Sequence, residues 1–235
     1  MKVGITLPTF EHTSGAAIAV ARAADELGID GVFAFDHLWP IGQKARPALS
    51  MYPMLGAAAA VTRHIRIGSL VARVGLLPDE LVAESVISLQ ELTGRRLVAA
   101  LGIGDTKSVA ENEAYAIPWP TLEDRRASLA SLVGEFTSLG IECWVGATAP
   151  ATLQIARAAG ATVNLWNVEL QRLVAEAALG PATWAGPLPT EVGAAADRLV
   201  ALRDAGASWA IWGWPRTLEL VTEAVHLAGL QSRGG

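Results

Sequence analysis

Residues 66–104 read RIGSLVARVGLLPDELVAESVISLQELTGRRLVAALGIG, and in them two strands are joined by one helix. Residues 65–71 are an apolar run of strand length, 79–93 repeat apolar side chains at helical spacing, and 97–101 are a second apolar run that leads into Gly102 and Gly104. Asp79, Glu80 and Glu84 stand near the helix start, Gly94 follows its end, and Arg95 and Arg96 lie just beyond. Acids at the start and cations past the end match the helix dipole, and glycine is the usual residue where a helix stops.

The alternation continues in both directions. Upstream, 3–7 reads as a strand, 14–27 as a helix with Ile18, Ala21, Ala24 and Leu27 on one face and Gly28 closing it, 32–35 as a strand and 54–63 as an alanine-rich helix. Downstream, a long loop leads to a helix over 122–139. Four shorter strand and helix pairs follow: 143–146 with 151–159, 162–166 with 169–178, 184–186 with 191–205, and 209–213 with 217–230. Eight βα cycles in 235 residues predict an α/β fold, a compact (βα)8 TIM barrel forming a single domain over 1–235. The rival, an open doubly wound sheet, wants a glycine fingerprint after its first strand, and TLPTFEHTSG has none.

Composition narrows the function. No apolar run approaches the roughly 18 residues that span a bilayer, and the first residues lack a signal-peptide core, so a cytoplasmic protein is expected. Cys143 is the single cysteine, which leaves no intrachain disulfide and no cysteine-based zinc site. The net charge is −5 without a basic stripe, so neither nucleic acid nor an anionic membrane is an expected partner. His12, His37, His64 and His226 fall at unrelated points of the cycle, and no metal motif or nucleophile elbow is present. Eight tryptophans in an apolar chain predict a homodimer that buries some of them.

In a TIM barrel the functional face is the rim where strands end. That rim should hold Thr6 and Pro8, then Asp36, His37 and Trp39, then residues 71–73. Gly102, Gly104 and Asp105 follow, then 146–148, 164–167 and 212–214. Small and aromatic residues suit a flat aromatic ligand, backbone amides meeting its polar edge and indoles its faces. Each residue also has a plainer reading. His37 can bond a carbonyl at a strand end, Asp36 can cap a helix, the tryptophans can pack, the glycines can relieve crowding, and Arg95 and Arg96 can serve as helix-end charges.

Five segments in order, LGIDGVFAFDHLWP (27–40), 66–104, ENEAYAIPW (111–119), CWVGATAPATLQIARAAGATVNLWN (143–167) and GASWAIWGWP (206–215), resemble the bacterial-luciferase-like flavin and deazaflavin oxidoreductase family. A second strand ending in Asp-His is similar to the branch that uses coenzyme F420. The resemblance implies an F420-dependent oxidoreductase acting on a small organic substrate, with an FMN-dependent monooxygenase or a non-catalytic flavin-binding barrel as alternatives. It implies that Asp36 contacts the deazaflavin and that His37 serves as acid, base or stabiliser at the hydride-transfer centre. Leu70 and Val71 match a non-proline cis peptide beneath the ring, Gly102 and Gly104 sit beside the cofactor, and Gly146, Ala147, Thr148 and Ala149 approach its tail. The glucose-6-phosphate branch of the family has a glutamate shortly after G-x-G, and the resemblance leaves three readings of its place here: Asp105, Glu113, or no such acid. The absence of an arginine just past Gly104 favours F420 over FMN; with FMN, Arg73 would be the nearest rim cation for the phosphate.

Overall fold

The computed structural model describes residues 1–213, 215 and 217–230. Among these residues nine parallel strands form one sheet: β1 (Lys2–Thr6), β2 (Gly31–Ala34), β3 (Arg66–Ser69), β4 (Ala72–Arg73), β5 (Leu97–Gly102), β6 (Glu142–Gly146), β7 (Thr162–Trp166), β8 (Ala182–Gly186) and β9 (Trp209–Trp212). β1 pairs with β9, and β3 and β4 both pair with β5, so the sheet closes on itself. β3 and β4 are two halves of one barrel strand. The molecule is therefore an eight-stranded (βα)8 TIM barrel.

The expected third strand, 65–71, is broken where Leu70 and Val71 are joined by a cis peptide. Ser69 restores the ladder at the break: its Oγ donates to the Ala100 carbonyl at 2.7 Å and accepts the Ala100 N–H at 2.9 Å. A side chain thus supplies both hydrogen bonds that an uninterrupted strand would have drawn from its backbone.

The surrounding helices are α1 (Gly15–Glu26), α2 (Met51–Val61), α3 (Asp79–Leu92), α4 (Val109–Ala114), α5 (Leu122–Ser138), α6 (Pro150–Ala158), α7 (Leu170–Ala177), α8 (Val192–Asp204) and α9 (Leu218–Leu227). Three differ from the sequence reading by three residues or more; α9 ends at Leu227 and not at 230, with Gly229 just beyond it at a positive φ. α2 begins at Met51 rather than 54, because Pro53 lies in the first turn, where a missing N–H costs no helical bond. α4 lies inside the expected long loop; six residues are too few to show a period.

Two cores divide the apolar side chains. The larger lies between sheet and helices. The smaller fills the barrel, where Phe33, Trp144 and Trp209 meet with centroids 5.4 to 5.8 Å apart. A Cβ on Gly68 would sit 2.7 Å from Phe33 Cε1, so glycine there gives the ring its space. This plug closes the lower barrel, leaving Phe35, Leu70 and Val71 as the apolar floor beneath the rim. No helix among the described residues is long and apolar enough to cross a membrane.

Candidate active site

Above that floor the strand ends enclose a cavity of about 700 Å³, a volume ordinary for a cofactor with a small substrate. Its wall brings together Asp36, His37, Leu70, Val71, Arg73, Gly102, Gly104, Asp105, Gly146, Ala147, Thr148 and Ala149, with Asn164 and Trp166 of the expected 164–167, and adds Phe10, Phe35, Ile41 and Arg46, whereas the expected Thr6 and Pro8 do not line it. Trp39 is buried outside it, stacked on Tyr115, and Trp212 belongs to the larger core. Trp214 lies outside the described residues.

Val71 organises the floor. A Cβ on Gly102 would fall 2.5 Å from Val71 Cγ2, and one on Gly146 2.7 Å from Cγ1. Glycine at both positions lets the Val71 side chain stand between β5 and β6, so here the plainer reading of Gly102, relief of crowding, describes its contact. Phe10 stacks on Phe35 at 5.9 Å, and Trp166 meets Phe35 edge-on at 5.7 Å, forming an aromatic wall. Ala147 to Ala149 lead into the start of α6 at the far end.

The polar corner is built by two acids. Asp36, at the end of β2, accepts the Arg73 N–H through Oδ2 at 2.8 Å and so ties β2 to β4. Burial pushes the Asp36 carboxyl up; the Arg73 N–H and the Arg73 and His37 charges pull it down without cancelling the rise. The same Asp36 charge adds to burial in raising the Tyr52 phenol above its usual range.

The second acid is Glu111, and this corrects the sequence reading. Asp105 lines the cavity, but its carboxylate accepts the Lys107 N–H at 2.8 Å, and Glu113 is exposed and away from the cavity. Glu111 on α4 is fully buried and lies 2.8 Å from His37 Nδ1 through Oε1, while Oε2 accepts the Leu38 N–H at 2.8 Å. Burial raises its pKa, but the His37 and Leu38 hydrogen bonds and the His37 and Arg73 charges outweigh that and leave it lowered. Glu111 stands in the ENEAYAIPW segment, whose acids can be ranked only once the loop is known to form a helix.

Arg73 is the third member. Its guanidinium lies 3.3 Å from Glu111 Oε2, close enough for ion pairing though not aligned as a hydrogen bond, and Nη1 donates to the Ser108 carbonyl at 3.4 Å. Its stem runs against Gly104, where a Cβ would meet Arg73 Cδ at 2.9 Å. Sequence order shows no arginine past Gly104; the barrel supplies one from β4, with its charge already turned toward Glu111. Among the described residues no cluster of three metal-binding side chains exists.

The site thus has an apolar floor, an aromatic wall and one corner where Asp36, His37, Arg73 and Glu111 meet. The luciferase-like monooxygenase family model matches residues 1–207, and the chain belongs to that family. Among curated proteins it is similar to an F420-dependent glucose-6-phosphate dehydrogenase of Beutenbergia cavernae, 30% identical over 130 residues. That match spans 55% of this chain and 37% of the relative, so little more than a third of the relative's length is covered. Among solved structures it resembles an F420-dependent secondary alcohol dehydrogenase in complex with an F420-acetone adduct, with a TM-score of 0.76, 12% identity, and 97% and 99% of the two chains covered. It also resembles a type II Baeyer-Villiger monooxygenase component from Pseudomonas putida in complex with FMN, with a TM-score of 0.72, 13% identity, and 99% and 100% covered. At such identities the structural likeness is one of fold.

Proposed function

We propose that this chain is an F420-dependent oxidoreductase that moves a hydride between the deazaflavin and a small organic substrate, acting as one barrel domain in the cytoplasm. The observation that carries the reading is His37, a partly accessible imidazole in the wall of a cavity whose floor is apolar. When bound, the deazaflavin supplies the two-electron hydride chemistry. The chain's own residues do the rest. Val71 and Leu70 support the ring from below, Asp36 offers its remaining carboxyl oxygen to the ring edge, and Gly102 and Gly104, which make room for Val71 and Arg73, flank it at the end of β5. Ala147, Thr148 and Ala149 meet its tail. Phe10, Phe35 and Trp166 keep water from the reacting atoms, and His37 takes or gives the substrate's proton.

FMN is the second reading, favoured by Arg73 lying against Gly104. A flavin phosphate there would compete with Glu111 and Ser108 for a guanidinium that is buried. Tighter binding of F420 than of FMN is therefore expected in parallel fluorescence titrations. Submicromolar FMN binding without F420 binding would reverse the choice, and binding of both without turnover would leave a non-catalytic barrel.

The homodimer rests on less than composition implies, because Trp39, Trp144, Trp184, Trp209 and Trp212 are buried within one chain. The exposed apolar side chains are mainly leucines, with Leu81 at 53% and Leu92 at 66% on α3. A dimer through such side chains should scatter light at twice the monomer mass of 24.6 kDa, whereas a constant monomer mass across dilution would exclude it.

A further inference from the structure

We propose that Glu111 is the positioning residue for His37: it fixes the imidazole in the tautomer protonated at Nδ1 and leaves Nε2 as the proton-accepting atom at the cavity. This rests on the reading of His37 as the proton-handling group, and it specifies the atom and the resting direction of transfer.

The argument is a count of donors and acceptors. Glu111 Oε2 faces the Leu38 N–H at 2.8 Å and Arg73 Nη2 at 3.3 Å, two groups that can only donate. Oε1 faces His37 Nδ1 at 2.8 Å. A carboxylate accepts only, and His37, Leu38 and Arg73 together keep Glu111 in that form, so the hydrogen between Oε1 and Nδ1 belongs to the imidazole. A neutral imidazole carries one N–H, and Nε2 then holds a lone pair. Nε2 has no hydrogen-bond partner among the described residues and is not among their buried unpartnered atoms, while His37 lines the cavity and a fifth of its side chain is accessible.

With His37 neutral, the site is set to remove a proton. For an alcohol, the C–H bond breaks and its electron pair leaves with the hydrogen as hydride to the bound deazaflavin, which is the oxidant. The O–H bond breaks and its proton goes to Nε2; the electron pair left on oxygen forms the carbonyl. The substrate loses two electrons, and His37 becomes an imidazolium whose new charge faces the Glu111 carboxylate. In the reverse direction the same imidazolium returns the proton.

Glu111→Gln gives a sharp test because the two ends of an amide differ. The Leu38 N–H cannot stop donating, and Arg73 donates beside it. The glutamine oxygen must therefore turn to Leu38, its NH₂ meets Nδ1, and the imidazole is forced into the opposite tautomer. Nitrogen-15 NMR of full-length, ligand-free protein above neutral pH should show His37 with a protonated Nδ1 and a pyridine-type Nε2, and the reverse in Glu111→Gln. Turnover of a secondary alcohol that the wild type oxidises should fall about 10²- to 10⁴-fold in the variant, with F420 affinity unchanged. In a His37→Ala background the same substitution should cost little further, as a residue acting through His37 requires.

A wild-type proton on Nε2, or a Glu111→Gln spectrum that keeps the proton on Nδ1, overturns the proposal. The wild-type spectrum decides alone if the variant does not fold. Failure to bind F420 would instead remove the proposed function while leaving the tautomer result standing.

Discussion

His37→Ala is expected to lower turnover about 10²- to 10⁴-fold, the usual contribution of a positioned acid or base, and to leave the barrel folded. Folding should survive because Glu111 keeps its two other partners, the Leu38 N–H and the Arg73 guanidinium, when the imidazole is gone. His37→Asn should retain part of the cofactor affinity, since an amide still donates a hydrogen bond, yet stay catalytically poor because an amide does not exchange a proton near neutral pH. Steady-state kinetics beside thermal melts separate the effects. Both variants turning over like wild type while melting several degrees lower would make His37 a packing residue.

Arg73→Leu should lower stability by about 3–5 kcal/mol, the range for removing one partner of a buried ion pair. The side chains of Arg73 and Glu111 are 3% and 1% exposed, so no solvent is at hand to replace the lost cation. The pH dependence identifies the cause. Glu111 titrates lower in the folded protein than in the unfolded chain, so it contributes stability that is present above the unfolded carboxyl's range and lost as pH falls through the folded value. Without Arg73 the folded value rises, and the deficit should be large at neutral pH and shrink in acid as Glu111 takes up a proton. Urea unfolding midpoints at pH 7 and at about pH 4 measure this. An equal deficit at both pH values would mean that the guanidinium matters for its volume and not its charge. Adding Glu111→Gln to Arg73→Leu should recover part of the neutral-pH loss, because the stranded charge is then absent.

Much of the barrel was legible in the chain because its signals are local. A strand that is buried on both faces reads as an unbroken apolar run, as 97–101 does, and a helix packed on a sheet repeats its apolar side chains, as 79–93 does. Closure by eight such cycles, and the placing of Asp36, His37, Gly102 and Gly146 at one rim, follow from that alternation alone. Element edges were less legible. α2 extends back through Pro53, and the third barrel strand breaks after Ser69, whose hydroxyl takes over the pairing with Ala100.

The polar corner needed the tertiary structure. His37 and Glu111 are 74 residues apart in sequence, and nothing in GDTKSVAENE marks Glu111 as the inward acid over Asp105 or Glu113. Only when 109–114 forms α4 against the end of β2 does one carboxylate reach the imidazole, the Leu38 N–H and the Arg73 guanidinium together. The same holds for Arg73, which stands far from Gly104 in sequence and against it in space. By itself the sequence determined the barrel and the rim that carries His37, because burial and hydrogen bonding within strands and helices impose periods on neighbouring residues. Which acid faces His37 was decided only by the tertiary structure, because a charge inside a protein is set by whatever the fold brings within a few ångströms of it, and that distance has no period along the chain.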